Sequence, residues 1–400
     1  MEFEKEYDNA VETGLLPGCT LLAASKDGKF TYSKSAGVQS LRPGKDKPFG
    51  PDTVCAIASC TKIMTAVAAM QLVERGIVNL DEPVSKVLPE VGSHGIITGF
   101  DDTAGKAITV PSTKPVTLRT LLCHTSGQEY EYFNPLLLKW RASRGEAPFS
   151  GPTVETKATI PLVFDPGTGF AYGASLDWAG KLIERSTSET LDSYMRKNIW
   201  EPLGMKDITF HPKQRQGLQD RLAMISTLNE KGEGPALDAP DFDVTSGATD
   251  GLGGDGAFAS AADYFKFIQA VIKRDSRLLN KASWTEFFRP QLDEPVKRAL
   301  HAAFAVSPAN EAYLSIRIPR DSPKNWCFGG MISEAGVEGR CSKGTIMWGG
   351  LPSLMWFIDD EAELCGVCFC QVIPPMSPAI MALHEQFQRG VYQAYTKSKA

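Results

Sequence analysis

Apolar positions recur at i, i+3 and i+4 from Ile63 and Met64 through Val67 and Met70 to Leu72 and Val73, with Gly76 behind them as a stop. This spacing predicts one buried helix. Upstream, a short helix is expected over residues 3 to 14. Cys19 to Ala24 then reads as a strand, Lys26-Asp27-Gly28-Lys29 as a turn and Phe30 to Ser33 as its return, a hairpin. The far end repeats the pattern: Ser353 to Ile358 and Leu364 to Val372 flank the acidic turn Asp359 to Glu363. A closing helix from about Ser377 to Lys397 carries Ile380, Met381, Leu383, Phe387, Val391 and Tyr392 on its apolar side.

Between these ends the pattern is mostly helical. Residues 93 to 116, rich in Gly, Asp, Thr and Pro, read as a long surface excursion. Thr117 to Gly127 reads as a short helix with a tight stop, residues 128 to 164 as an aromatic stretch, and Trp178 to Arg185 as a helix started by Ser175 or Asp177. Strands at both termini and helices between them predict an α/β (α+β) fold: an antiparallel sheet built from the two ends, flanked by helices, with a mostly helical domain inserted. The expected division is residues 1–88 and 206–400 for the sheet domain and 89–205 for the helical one.

Composition narrows the function classes. The 400 residues are 42% hydrophobic and 22% charged, ordinary for a globular enzyme, and the net charge of -5 argues against a nucleic-acid partner. No apolar run approaches the roughly 20 residues a bilayer span needs. The start, Met1 to Glu6, lacks the basic and apolar segments of a signal peptide, so a cytoplasmic protein is expected. Nine scattered cysteines are an odd number and fit free, buried thiols better than a disulfide framework. Cys365, Cys368 and Cys370 alternate through an apolar segment and read as strand positions; no metal and no cofactor is expected.

Candidate chemistry begins just before the predicted buried helix. Ser59-Cys60-Thr61-Lys62 is the only Ser-x-x-Lys in the chain and puts both side chains on one face of a first helical turn. The unpaired N–H groups there favour developing negative charge, so Ser59 can act as a nucleophile with Lys62 as its activator. Alone, the motif is also what chance produces in a chain of this composition. Tyr172, on the loop Asp165 to Ala174, stands just before a helix, where packing is the ordinary role of a tyrosine. Trp348-Gly349-Gly350-Leu351 is an apolar strand running into paired glycines that let a ligand approach the backbone, or an ordinary turn. His124, with no acidic residue beside it, reads as structural.

Taken in order, Ser-Cys-Thr-Lys, Tyr-Gly-Ala and Trp-Gly-Gly resemble the serine β-lactamase-like superfamily of class C β-lactamases, penicillin-binding proteins and esterases. Leu80 to Val84, Leu121 to Gly127, Glu201 to Met205 and Gly253 to Phe258 are similar as well. Within it, Tyr172 to Arg185, Gly99 to Asp102 and Gly349 to Pro352 resemble the lovastatin-type side-chain transesterases of fungi. The resemblance implies a β-lactamase/transpeptidase-like fold with the site between the two domains. It also implies Ser59 as nucleophile, Lys62 and Tyr172 as activators, and Leu351 N–H as the second oxyanion donor beside Ser59 N–H.

In that scheme Lys62 stays protonated and Tyr172 takes the serine proton, which requires lowering a phenol from about 10 to about 7, roughly 4 kcal/mol. The reverse, a neutral Lys62 as base, is equally physical. Two departures disfavour antibiotic hydrolysis: Trp348 offers an aromatic wall where penicillin-recognising members often carry a lysine, and Ala174 replaces a polar residue. The expected activity is acyl transfer from a thioester donor, an acyl-carrier domain of a polyketide synthase or acyl-CoA, to a hydroxyl of a small natural product. An esterase is the alternative, and an acylated sensor or binding module the minor one.

Overall fold

A computed structural model describes residues 1–307, 311, 314–375 and 377–399. In chain order the strands are β1 (Gly18–Ser25), β2 (Thr31–Gly37), β3 (Val54–Ala56), β4 (Ile96–Asp101), β5 (Lys106–Val110), β6 (Ile208–Thr209), β7 (Ser226–Thr227), β8 (Leu237–Asp238), β9 (Phe258–Ser260), β10 (Lys324–Trp326), β11 (Met331–Ser333), β12 (Thr345–Gly350), β13 (Leu354–Asp359), β14 (Leu364–Cys370) and β15 (Val372–Ile373). The helices used below are α1 (Glu2–Glu12), α2 (Thr61–Glu74), α3 (Leu118–Leu122), α4 (Pro135–Ser143), α5 (Val154–Ala158), α6 (Ser175–Thr187), α7 (Leu191–Met195) and α8 (Ala261–Ile272), with a C-terminal helix Pro378–Lys399.

The main sheet has seven antiparallel strands in the order β10-β11-β12-β13-β14-β1-β2, so the two ends of the chain do meet in one sheet. Cys19 of β1 lies opposite Cys370 of β14, and Ser25 opposite Leu364. Both strands are buried along their whole length because helices cover both faces. Alternation along β14 sorts the two layers. Cys368 Sγ meets Tyr7 of α1 and His384 of the C-terminal helix, whereas the next residue, Phe369, stacks against Tyr264 of α8. The cysteine alternation thus belongs to a strand, and all nine thiols are free and buried.

α2 is buried from Thr61 through Leu72, which explains why its apolar residues are not confined to one stripe. It packs against α6 and α7 and is the post on which the site is mounted. The stretch expected to be a surface excursion instead contains a hairpin, β4 with β5, with an irregularity between Ile97 and Gly99. That bulge and the exposed face of β5 break the period-2 alternation that announces a strand. No helix among the described residues is long and apolar enough to cross a membrane.

Candidate active site

Ser59 lies in a 3-10 turn, Ala58–Cys60, that joins β3 to α2. Ala58 is held at φ +43, a left-handed conformation that costs a non-glycine residue about 1–3 kcal/mol and persists because its surroundings impose it. Ile57 N–H donates to Ala257 O at 3.0 Å and Cys60 N–H to Ile57 O at 3.0 Å, fixing the turn on both sides.

Lys62, one helical turn on, is 5% exposed. Its Nζ donates to Ser59 Oγ at 3.0 Å, to Tyr130 OH at 3.2 Å and to Gly254 O at 2.7 Å. It also sits over the Tyr172 ring, 4.8 Å from the centroid. Burial pushes the Lys62 pKa down; Asp255 and Asp177 oppose this without overcoming it. Of the three oxygens, Gly254 O can only accept, while the two hydroxyls can also donate. A neutral Lys62 therefore still satisfies the site, with its lone pair directed at a hydroxyl proton.

Asp177, in the first turn of α6, reaches this lysine through the backbone. Its Oδ1 accepts from Gly254 N–H at 2.8 Å, and Gly254 O in turn faces Lys62. Burial raises the pKa of both Asp177 and Asp255, and the Asp177 charge raises that of Asp255 further. The two carboxyl groups thus hold less negative charge beside Lys62 than a pair of free carboxylates would.

Tyr172 is 8% exposed, and its hydroxyl accepts from Trp348 Nε1–H at 2.9 Å. Burial raises its pKa above that of free tyrosine, while the Ser59 hydroxyl and the Trp348 N–H work in the opposite direction. Neutral phenol is the favoured form. Tyr172 is braced by His124, fully buried at φ +56, whose ring lies 4.6 Å from the phenol ring and whose carbonyl accepts from Ala171 N–H at 3.0 Å. Burial also keeps His124 neutral, with its pKa well below the ordinary value.

Tyr130 is the site residue the sequence did not single out. It comes from a loop pinned to Tyr172 by Tyr130 N–H donating to Tyr172 O at 3.1 Å. Gly173 makes this possible, since a Cβ there would lie 2.5 Å from Gln128 O. The next residue, Glu131, is buried and accepts from Arg141 Nε of α4 at 2.7 Å, which anchors the loop from below. Nothing in local periodicity signals this position; the segment's aromatic content was its one visible trait.

β12 brings the third motif alongside. A Cβ on Gly350 would stand 2.4 Å from Ile57 O, so only glycine lets this strand end press against the serine turn. Gly349 is equally close to Leu354 O, at 2.5 Å, inside the β12–β13 connection. Leu351 follows, half-buried, against the small apolar cluster that contains Ala56 and Ala58. Trp348 is 4% exposed and embedded among rings, with Trp326 at 4.7 Å and Tyr172 at 5.1 Å between centroids. It meets the site chiefly through its N–H. Replacing Trp348 by Phe is expected to lower kcat by about tenfold and to lower Tm as well, because a buried oxygen loses its donor and the smaller ring leaves a gap among its neighbours. Steady-state kinetics and thermal unfolding check this together.

The described residues contain no group of three or more His, Cys, Asp or Glu side chains arranged to hold a metal ion. What converges is a hydroxyl, an amine of lowered pKa, a neutral phenol and a glycine strand end pressed against the serine turn, an arrangement suited to serine acyl transfer.

Comparison with known proteins gives the same picture. Residues 4–388 match the family described as Beta-lactamase. A lovastatin esterase of Penicillium rubens is 33% identical over 395 residues, covering 98% of each chain. A monacolin J acid methylbutanoyltransferase of Aspergillus terreus is 32% identical over 397 residues, covering 98% of this chain and 95% of that one. A mutant simvastatin synthase from Aspergillus terreus superposes with a TM-score of 0.90 at 32% identity, covering 99% of this chain and 97% of that one.

Proposed function

The chain belongs to the beta-lactamase family, and on that premise we propose that it is a serine acyltransferase, moving an acyl group through a Ser59 acyl-enzyme to a hydroxyl of a small natural product. The observation that carries this reading is the three-way contact of Lys62 with Ser59, Tyr130 and Gly254 beside a Tyr172 held by Trp348. The transferase relative and the superposition support transfer as the reaction.

Lys62, whose ammonium form burial disfavours, takes the Ser59 proton from its neutral form as Oγ bonds to the acyl carbon. The carbonyl oxygen becomes an oxyanion received by Ser59 N–H and Leu351 N–H. Collapse breaks the bond to the leaving group, a thiol for a carrier-domain or coenzyme A donor. Tyr172 supplies that group's proton and regains one from Lys62. The acceptor alcohol then enters and its oxygen bonds to the acyl carbon as its proton passes to Lys62; the bond from that carbon to Ser59 Oγ breaks, and the serine oxygen takes the proton back from Lys62.

Hydrolysis is the second reading, favoured by the lovastatin esterase relative. The test is incubation of the purified protein with an acyl thioester and a panel of apolar alcohols, products being read by mass spectrometry. New ester is the expected result. Free acid as the sole product, with or without alcohol, would replace the transferase by an esterase.

A further inference from the structure

The Ser59 and Leu351 N–H groups sit on separate segments, and their spacing has to be set by something that touches both. The segment at the end of β14, Cys370-Gln371-Val372, does so. Gln371, 3% exposed, makes a two-way amide contact with Ala56, three residues ahead of Ser59. Ala56 N–H donates to Gln371 Oε1 at 3.0 Å, and Gln371 Nε2 donates to Ala56 O at 3.0 Å. The side-chain amide thereby occupies the place of a neighbouring strand along β3, whose other edge pairs with β9. The same Nε2 also donates to Cys370 O at 2.9 Å, so the carboxamide cannot swing without breaking three bonds.

The residues on either side of Gln371 grip the other segment. Val372 N–H donates to Pro352 O at 3.0 Å, and Ser353 Oγ donates to Val372 O at 2.7 Å. Ser353 O accepts from Cys370 Sγ at 2.9 Å and lies 2.8 Å from His384 Nε2 of the C-terminal helix. Ser353 itself is held at φ +63, a left-handed conformation that this set of contacts maintains.

We propose that Gln371 is a positioning residue: its carboxamide ties the Ala56 peptide to the segment that holds Pro352 and Ser353, and so fixes the separation of the Ser59 and Leu351 N–H groups. The inference rests on the reading of Ser59 as nucleophile. It differs from a role in stability alone because it concerns the tetrahedral state, in which both N–H groups must reach one oxygen. A small error in their spacing leaves substrate binding intact and slows the chemical step.

The experiment follows Ser59 labelling by a p-nitrophenyl alkylphosphonate, whose phosphorus becomes tetrahedral on the enzyme, by intact mass, alongside kcat, KM and Tm for a p-nitrophenyl acyl ester. For Gln371→Ala, labelling and kcat are expected to fall about 10–100-fold, less than the roughly 10²–10³-fold cost of losing an oxyanion donor outright, with KM within about twofold. Gln371→Glu keeps the shape and both contacts to Ala56 while its carboxyl is protonated, and loses its donation once ionised. Its rate relative to the unaltered protein is therefore expected to fall as pH rises. Labelling at the unaltered rate in Gln371→Ala, or a Gln371→Glu ratio that does not change with pH, would overturn the inference even if Tm drops. Should Gln371→Ala fail to fold, the Gln371→Glu profile decides. Absence of labelling on Ser59 in the unaltered protein would instead remove the nucleophile reading, and this inference with it.

Discussion

Replacing Ser59 by alanine is expected to abolish turnover, by about 10⁴-fold or more, because the atom that carries the acyl group is gone and no neighbouring side chain replaces it. Lys62 Nζ keeps its acceptors Gly254 O and Tyr130 OH in this variant, so the charge balance of the site is barely altered. Circular dichroism and Tm should stay close to those of the unaltered protein. Intact mass after exposure to an acyl thioester should show an adduct on the unaltered protein and none on the variant. Turnover near the original rate would remove the proposed mechanism entirely.

The second large effect is expected from Lys62→Arg. Arginine puts a permanent positive charge beside Asp177 and Asp255 and cannot give up its proton at working pH, so it cannot serve as base. A fall of about 10³-fold in kcat/KM is expected, within the usual span for general base catalysis. The pH dependence supplies the sign. Burial penalises the ammonium, so Lys62 deprotonates below the ordinary lysine pKa, and kcat/KM of the unaltered protein should climb as pH rises through that depressed value. The arginine variant should lose this limb. The same displacement means that the unfolded chain binds the proton more tightly than the folded one. Lys62 therefore adds a contribution to stability that grows with pH from its depressed folded value up to the ordinary lysine pKa. A flat rate profile, or an arginine variant within tenfold of the original, would return the base to Tyr172.

Much of the framework was written in local patterns. The β1–β2 hairpin, the buried α2 and the closing helix follow from spacing, because each obeys the period of its own secondary structure. Ser59, Lys62, Tyr172 and Trp348 were legible as short motifs, and the fold brings their side chains together. Other parts were hidden for physical reasons. β4 and β5 carry a bulge and an exposed face, so alternation fails there. Tyr130 reaches Lys62 across 68 positions through a loop whose course depends on the Glu131–Arg141 pair and on Gly173, none of which has a periodic signature. Asp177 was visible as a helix-starting residue, but its hold on Gly254 is a contact across 77 positions. Gln371 looked like one polar position at the end of a strand. Its significance lies in whose backbone it touches.

The pairing of β1 with β14 also bears on how the chain is made. Cys19 must wait for Cys370, so the first hairpin leaves the ribosome with an apolar edge that has no neighbour until β14 has been made. Biosynthesis of this enzyme therefore carries a long interval of exposed sheet edge, in which an unfinished chain is open to aggregation.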